Sequence, residues 1–243
     1  WSKDFKDDET LSSRCEEILN QGYGGIKIYP LQKRTIDQAA ICVSKIRKTL
    51  GFNVPLMLDL ACPNDTNVSL KLAPLVKEFK PYWFEEPVDG EATRALKEIK
   101  NQTGLRIVTG EKQCGINHFI ETLAADAVDI FNPDISSVGG IIDMIKIIEL
   151  SNKKNVRVTP HCWNSMSIAA SAMIHLCMSF PKTEMAEFFP EYIAYTSKFY
   201  NKNFEINKGF IELENREGLG VSIDTNLLME NTSSYKFSMI NKN

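Results

Sequence analysis

VPLMLDL (residues 54–60) is a short apolar run that closes on Asp59, and the same event occurs twice more. YWFEEP (82–87) closes on Glu85 and RIVTGE (106–111) on Glu111. Each run is followed by turn residues and then by a helical pattern. The spacing is 26 residues both times, from 59 to 85 and from 85 to 111, close to the repeat of a (β/α) barrel. Strands in such a barrel are parallel, so the three carboxylates are predicted to meet at the C-terminal rim, where barrel enzymes build their sites. Three crowded carboxylates repel one another unless a cation holds them. Hard oxygen donors without thiolate or imidazole point to Mg²⁺ rather than Zn²⁺.

Working outward, apolar runs alternate with amphipathic helices along most of the chain, the pattern of parallel βαβ units. Strands are predicted at about 24–29, 54–60, 82–85, 105–110, 127–132, 155–160 and 183–188. Helices are predicted at 8–21, 34–50, 67–79, 90–101, 116–125, 139–152 and 165–179, the second stopped by Gly51. The expected fold class is α/β, a TIM-type barrel of seven strands in residues 1–191. Its first strand would precede Trp1, so the chain reads as part of a longer polypeptide. An open doubly wound sheet is the alternative, but no Gly-rich phosphate loop marks a first strand. Residues 192–243 break the repeat. FEINKGFIELENREGLGVSID (204–224) reads as two short strands joined by a Gly-containing turn.

The 243 residues suffice for a full core. A net charge of −3 gives no electrostatic reason to expect nucleic acid or an anionic membrane as partner. The longest apolar stretch is well short of the roughly 18 residues a spanning helix needs. Six cysteines are scattered without CxxC spacing and read as reduced thiols of a cytoplasmic protein. A homo-oligomer is expected.

Other residues join the rim. In GGIKIYP (24–30), Lys27 and Tyr29 share one strand face. Lys27 would need counter-charges inside a barrel; snorkelling from the strand end is the alternative. IFNPDISSVGG carries Asp134 and VRVTPHCWNS carries His161, one residue past a proline. These are adjacent strand ends, and a carboxylate on an imidazole fixes its tautomer and can make it a general base; taken alone such a pair is more often structural, and the three carboxylates at the same rim are what favour catalysis. In TEMAEFFPE, Glu187 is best placed at the rim. Glu86 should point to the other face and pair with a basic side chain. Trp163 and Asn164 follow His161 and can line a pocket, or pack under a loop. His118 and His175 lie in helical patterns.

In this order the residues resemble the enolase superfamily, and within it the mandelate racemase subgroup. The stretches GGIKIYP, WFEEPV, VTGE, NPDISSVGGI and TPHCWNS carry the resemblance, from about residue 8 to 190. It implies Mg²⁺ held by Asp59, Glu85 and Glu111. It implies a bound carboxylate substrate, such as a sugar acid, losing its α proton to the His161–Asp134 dyad. Mg²⁺, Lys27 and a protonated Glu187 would stabilise the enediolate. Two departures stand out. The subgroup commonly has Lys-x-Lys where this chain has Lys27-Ile28-Tyr29, and an unperturbed tyrosine, with a pKa of about 10, is a poor base at neutral pH. Ala61 stands where many members have Asn. The second means that a contact near the metal or substrate is lost or replaced, while the first favours one-face chemistry, dehydration of a sugar acid to a 2-keto-3-deoxy acid with Tyr29 and Trp163 as substrate contacts. A racemase or epimerase, and an inactive barrel serving as scaffold, are the alternatives. The family also carries an N-terminal α+β capping domain, and residues 192–243 are expected to pack with that region.

Overall fold

A computed structural model describes residues 7–162, 167–201 and 204–231. The barrel portion runs α1 (Asp8–Asn20), β1 (Ile26–Ile28), α2 (Ile36–Leu50), β2 (Leu56–Asp59), α3 (Thr66–Val76), β3 (Trp83–Glu85), α4 (Thr93–Thr103), β4 (Ile107–Thr109), α5 (Asn117–Ala124), β5 (Ile130–Phe131), α6 (Ile141–Lys153), β6 (Arg157–Val158) and α7 (Ser167–Ser179). The six strands form one parallel sheet in sequential order. Local chemistry matches the alternation. α2 starts on a reciprocal capping box between Thr35 and Gln38 and stops at Gly51, whose φ is +70°.

Register sorts the side chains. Lys27 pairs with Met57, Met57 with Trp83, and Asp59 with Glu85. The inward positions Met57, Trp83, Val108 and Ile130 pack together inside the barrel, with Met185 against them. The outward positions Leu56, Leu58, Phe84 and Ile107 join a larger core with Ala39, Val43, Ile46 and Leu72 of the helices. Period-two alternation thus places Lys27, Asp59 and Glu85 on the interior face, at the strands' C-terminal ends.

The seventh predicted strand, 183–188, is reduced to a single parallel bridge from Thr183 to Val158. The Glu184 amide donates to the Val158 carbonyl at 3.1 Å, and no described strand pairs with the run on its other side. Side chains anchor it instead. Glu184 ion-pairs with Arg106 at 2.8 Å and Arg157 at 3.0 Å and accepts from the Tyr82 hydroxyl at 3.2 Å. The Thr183 hydroxyl donates to carbonyls at the end of α7.

The tail contains α8 (Pro190–Thr196), β7 (Tyr200–Asn201), β8 (Phe204–Asn207), β9 (Phe210–Leu213), β10 (Ser222–Ile223) and α9 (Thr225–Glu230). β8 and β9 form the expected hairpin, while β10 pairs with β7. α8 and α9 had no expectation behind them, being only seven and six residues long, too short for a helical period to stand out. The hairpin packs Phe204, Ile206 and Ile211 against Met173 and Ile174 of α7. Its turn meets the α1–β1 turn, where the Gly209 amide donates to the Gly22 carbonyl at 2.7 Å. A Cβ on Gly24 would lie 2.9 Å from the Gly209 Cα.

Arg47 ties the lower end of this edge. Only 2% exposed, it donates to the carbonyls of Phe79, Gly51, Val54 and Lys80 at 2.8, 2.8, 2.7 and 3.1 Å. One planar fork satisfies four backbone acceptors around the start of β2. Arg47→Met should strand those carbonyls and cost about 3 kcal/mol or more. Arg47→Lys should recover little. Urea unfolding of the variants measures both.

Candidate functional site

The carboxylates of Asp59, Glu85 and Glu111 converge, with one ligand atom from each lying within 4.8 Å of the others. Asp59 and Glu85 are direct register partners. Glu111 is not in register with them: Glu85 pairs with Val108, and Glu111 lies beyond the end of β4, past Gly110 at φ +135°. The Asp59 carboxylate is fixed by the Ala61 amide, which donates to Oδ1 at 2.8 Å. Ala61 and Cys62 both have positive φ, +55° and +57°. At the place where the subgroup commonly has Asn, the main chain makes this contact.

Lys27 reaches into the cluster, with Nζ 2.6 Å from Glu85 Oε1, 2.5 Å from Glu187 Oε1 and 3.5 Å from Asp59 Oδ2. It does not snorkel; its side chain is 11% exposed. Burial alone would lower its pKa, but Glu187, Glu85 and Asp59 outweigh burial and hold it well above the ordinary lysine value.

Asp134 and His161 face each other through an isolated parallel bridge, with the His161 amide donating to the Pro133 carbonyl at 3.0 Å. Main-chain pairing therefore aligns the two side chains, and His161 Nδ1 lies 2.9 Å from Asp134 Oδ2. The Ser136 amide donates to the other Asp134 oxygen at 2.8 Å. His161 Nε2 points toward Glu111 at 3.2 Å and Glu187 at 3.9 Å. Burial disfavours the imidazolium, but Glu187, Asp134 and Glu111 more than compensate and raise His161 to about 9.

Glu187 lies between the two cations. Oε1 meets Lys27, and Oε2 accepts from the Cys162 amide at 3.2 Å. The protonated Glu187 expected from the sequence is not what these surroundings favour. Burial pushes its carboxyl up, yet Lys27 and His161 bring it below the ordinary glutamate value. Glu86 turns out of the cluster as alternation predicts. Its carboxylate accepts from the Thr109 hydroxyl, the Gly110 amide and the Cys62 thiol; no basic side chain pairs with it among the described residues.

Tyr29 is half-buried and lines, with Lys27, Met57, Trp83, Cys162 and Glu187, a cavity of about 1250 Å³. That cavity reaches the Lys27 side of the site; His161 and Glu111 are not among its walls. Trp163 and Asn164 fall outside the described residues. His118 and His175 sit on α5 and α7. Sequence reading passed over Trp83 and Asn132, both hydrogen-bonded to Glu85. The available signals were the i, i+2 spacing of Trp83 and Glu85 on one strand face, and the NPD stretch that sets Asn132 two residues before Asp134.

The donor set fits a divalent cation. Its three hard oxygens are close enough to share one ion, and among the described residues the four carboxylates here find cationic partners only in Lys27 and His161. The strain shows in the acids themselves. Burial, with Asp59 alongside, pushes Glu85 up to about 8 despite Lys27, and Glu111 up to about 7 despite His161.

Residues 10–227 match the family described as enolase C-terminal domain-like. The chain belongs to that family. Among solved structures, this enolase C-terminal domain-like chain is similar to an enolase from the environmental genome shotgun sequencing of the Sargasso Sea. That likeness has 44% identity and a TM-score of 0.91, covering 95% of this chain and 61% of the other. It also resembles an L-talarate dehydratase from Polaromonas sp. JS666 complexed with Mg and L-glucarate, at 25% identity and a TM-score of 0.83, covering 93% and 60%. Among curated proteins it is 30% identical over 207 residues to a D-galactonate dehydratase from Ralstonia pickettii, covering 81% of this chain and 53% of that protein. The chain thus spans about half the length of the curated relatives it matches.

Cation binding must displace the protons that Glu111 and Glu85 retain up to about 7 and about 8. These acids have raised values, so the cation-free fold binds more protons than the unfolded chain. It therefore loses stability as pH rises from the ordinary carboxylate value of 4.5 to about 8. A cation removes the penalty. Addition of Mg²⁺ should raise the melting temperature more at pH 8 than at pH 6, and calorimetry in buffers of different ionisation enthalpy should detect proton release.

Proposed function

We propose that this chain forms the catalytic barrel of a Mg²⁺-dependent enzyme that removes the proton α to a carboxylate, and that the reaction is dehydration of a sugar acid to a 2-keto-3-deoxy acid. The observation that carries the reading is His161. It is hydrogen-bonded to Asp134 at 2.9 Å, with Nε2 turned toward the carboxylate cluster.

When bound by Asp59, Glu85 and Glu111, the cation supplies Lewis-acid stabilisation for negative charge on the substrate carboxylate. Asp134 holds the Nδ1 proton of His161 and leaves Nε2 to take the α proton in the neutral form. Lys27 approaches the cluster from a different strand and supplies a fixed positive charge for the enediolate. Glu187, ionised in its present surroundings, orients Lys27 and supports the imidazolium once it forms. That imidazolium can then return its proton to the departing β-hydroxyl on the same face. Tyr29 borders the cavity beside Lys27 and serves as a substrate contact in this scheme.

The dehydratase names of the relatives support the substrate class. His161→Asn keeps the backbone bridge and the acidic cluster, and should lower kcat on the order of 10²–10⁴-fold. Tyr29→Phe should cost far less. The assay is 2-keto acid formation from a panel of sugar acids by the full-length protein, with solvent deuterium exchange at the α carbon. If Tyr29→Phe abolished exchange from one stereoisomer while His161→Asn spared it, a two-base racemase would replace the dehydratase.

A further inference from the structure

Glu85 is fully buried, and three donors from three parts of the sheet meet its carboxylate. Lys27 of β1 donates to Oε1 at 2.6 Å, and the Asn132 side-chain amide, just beyond β5, donates to the same oxygen at 2.9 Å. Trp83 Nε1, two residues before Glu85 on β3, donates to Oε2 at 2.8 Å. A carboxylate oxygen has two lone-pair sites. Oε1 has both filled, and Oε2 has one filled by the indole.

We infer that Trp83 and Asn132 are positioning residues that lock Glu85 so that it presents one remaining lone pair, on Oε2, to a divalent cation. This rests on the reading of Asp59, Glu85 and Glu111 as cation ligands.

Both donors are built for the task. Trp83 is 4% exposed and packed inside the barrel among Met57, Val108 and Ile130. Asn132 is 2% exposed. Its amide nitrogen must face Glu85, because the amide oxygen there would meet a carboxylate oxygen. That orientation leaves Asn132 Oδ1 buried without a hydrogen-bond partner among the described residues. A buried orphan acceptor is unfavourable, and the contact to Glu85 is what the orientation gains. Both donors are neutral. They orient the carboxylate without adding positive charge beside an incoming cation, which Lys27 does add. Partners that orient a ligand in this way commonly govern metal affinity.

The test uses the full-length protein and Mn²⁺ as an affinity probe, titrated by electron paramagnetic resonance. Trp83→Phe and Asn132→Leu should each weaken Mn²⁺ binding by about 10–100-fold, with a metal-free melting temperature near wild type in at least one of them. A substitution-free readout accompanies them. With 5-fluorotryptophan incorporated, the ¹⁹F resonance that disappears in Trp83→Phe should shift on addition of Mg²⁺, because its N–H shares Oε2 with the ion. Mn²⁺ affinity within twofold of wild type in a folded variant, or a Trp83 resonance indifferent to saturating Mg²⁺, would overturn the positioning role alone. If the wild-type protein bound Mn²⁺ no better than Glu85→Gln does, the cation-site reading would fall with it.

Discussion

Four carboxylates, those of Asp59, Glu85, Glu111 and Glu187, are gathered at the mouth of a barrel whose interior is otherwise Met, Trp, Val and Ile. Like charges held this close in a medium less polarisable than water repel strongly. Nearly every polar group nearby answers that repulsion. Lys27 takes three of the acids and His161 takes two. Main-chain amides of Ala61 and Cys162 take one oxygen each from Asp59 and Glu187. Glu85 and Glu111 still hold protons up to about 8 and about 7. The rim is short of positive charge, and this shortage supports reading it as a site that could hold a divalent ion.

The same cations that relieve the repulsion stand where the proposed α-proton chemistry would need them. Lys27 and His161 arrive from strands far apart in the sheet order, and Glu187 lies between them. An anion bound in this gap would meet a fixed charge on one flank and, with His161 in its neutral form, a proton acceptor on the other. Preorganisation of this kind requires no reorganisation when charge develops. The arrangement therefore links stability and chemistry through one set of contacts: a change that loosens Lys27 also exposes the acids to one another.

Much of this was legible in the sequence because two periodicities coincide. Alternation along each strand put Lys27, Asp59 and Glu85 on one face, and the repeat of strand and helix put their ends on one rim. Asp134 and His161 could be paired because adjacent strand ends are neighbours in a parallel sheet. Other features depended on contacts that no spacing encodes. Glu111 reaches the cluster from beyond its strand, so equal spacing concealed a different register. The ionised state of Glu187 follows from Lys27 and His161 together, a three-body matter. Thr183 holds only one bridge because a ladder needs a partner strand, and apolar alternation in 183–188 does not report one. Trp83 reads as barrel filling until its indole nitrogen is seen on Glu85.

The contact between the hairpin turn and the α1–β1 turn joins glycines 185 residues apart, from Gly24 to Gly209. Closing so long a loop has an entropic cost with no local reward until both surfaces exist. Contacts of such sequence separation form late. β1, which carries Lys27, is held along its length by β2, and the hairpin turn adds a second hold at its base. Chain termination or proteolysis within the tail would remove that second hold and loosen the strand from the end opposite the mouth of the barrel.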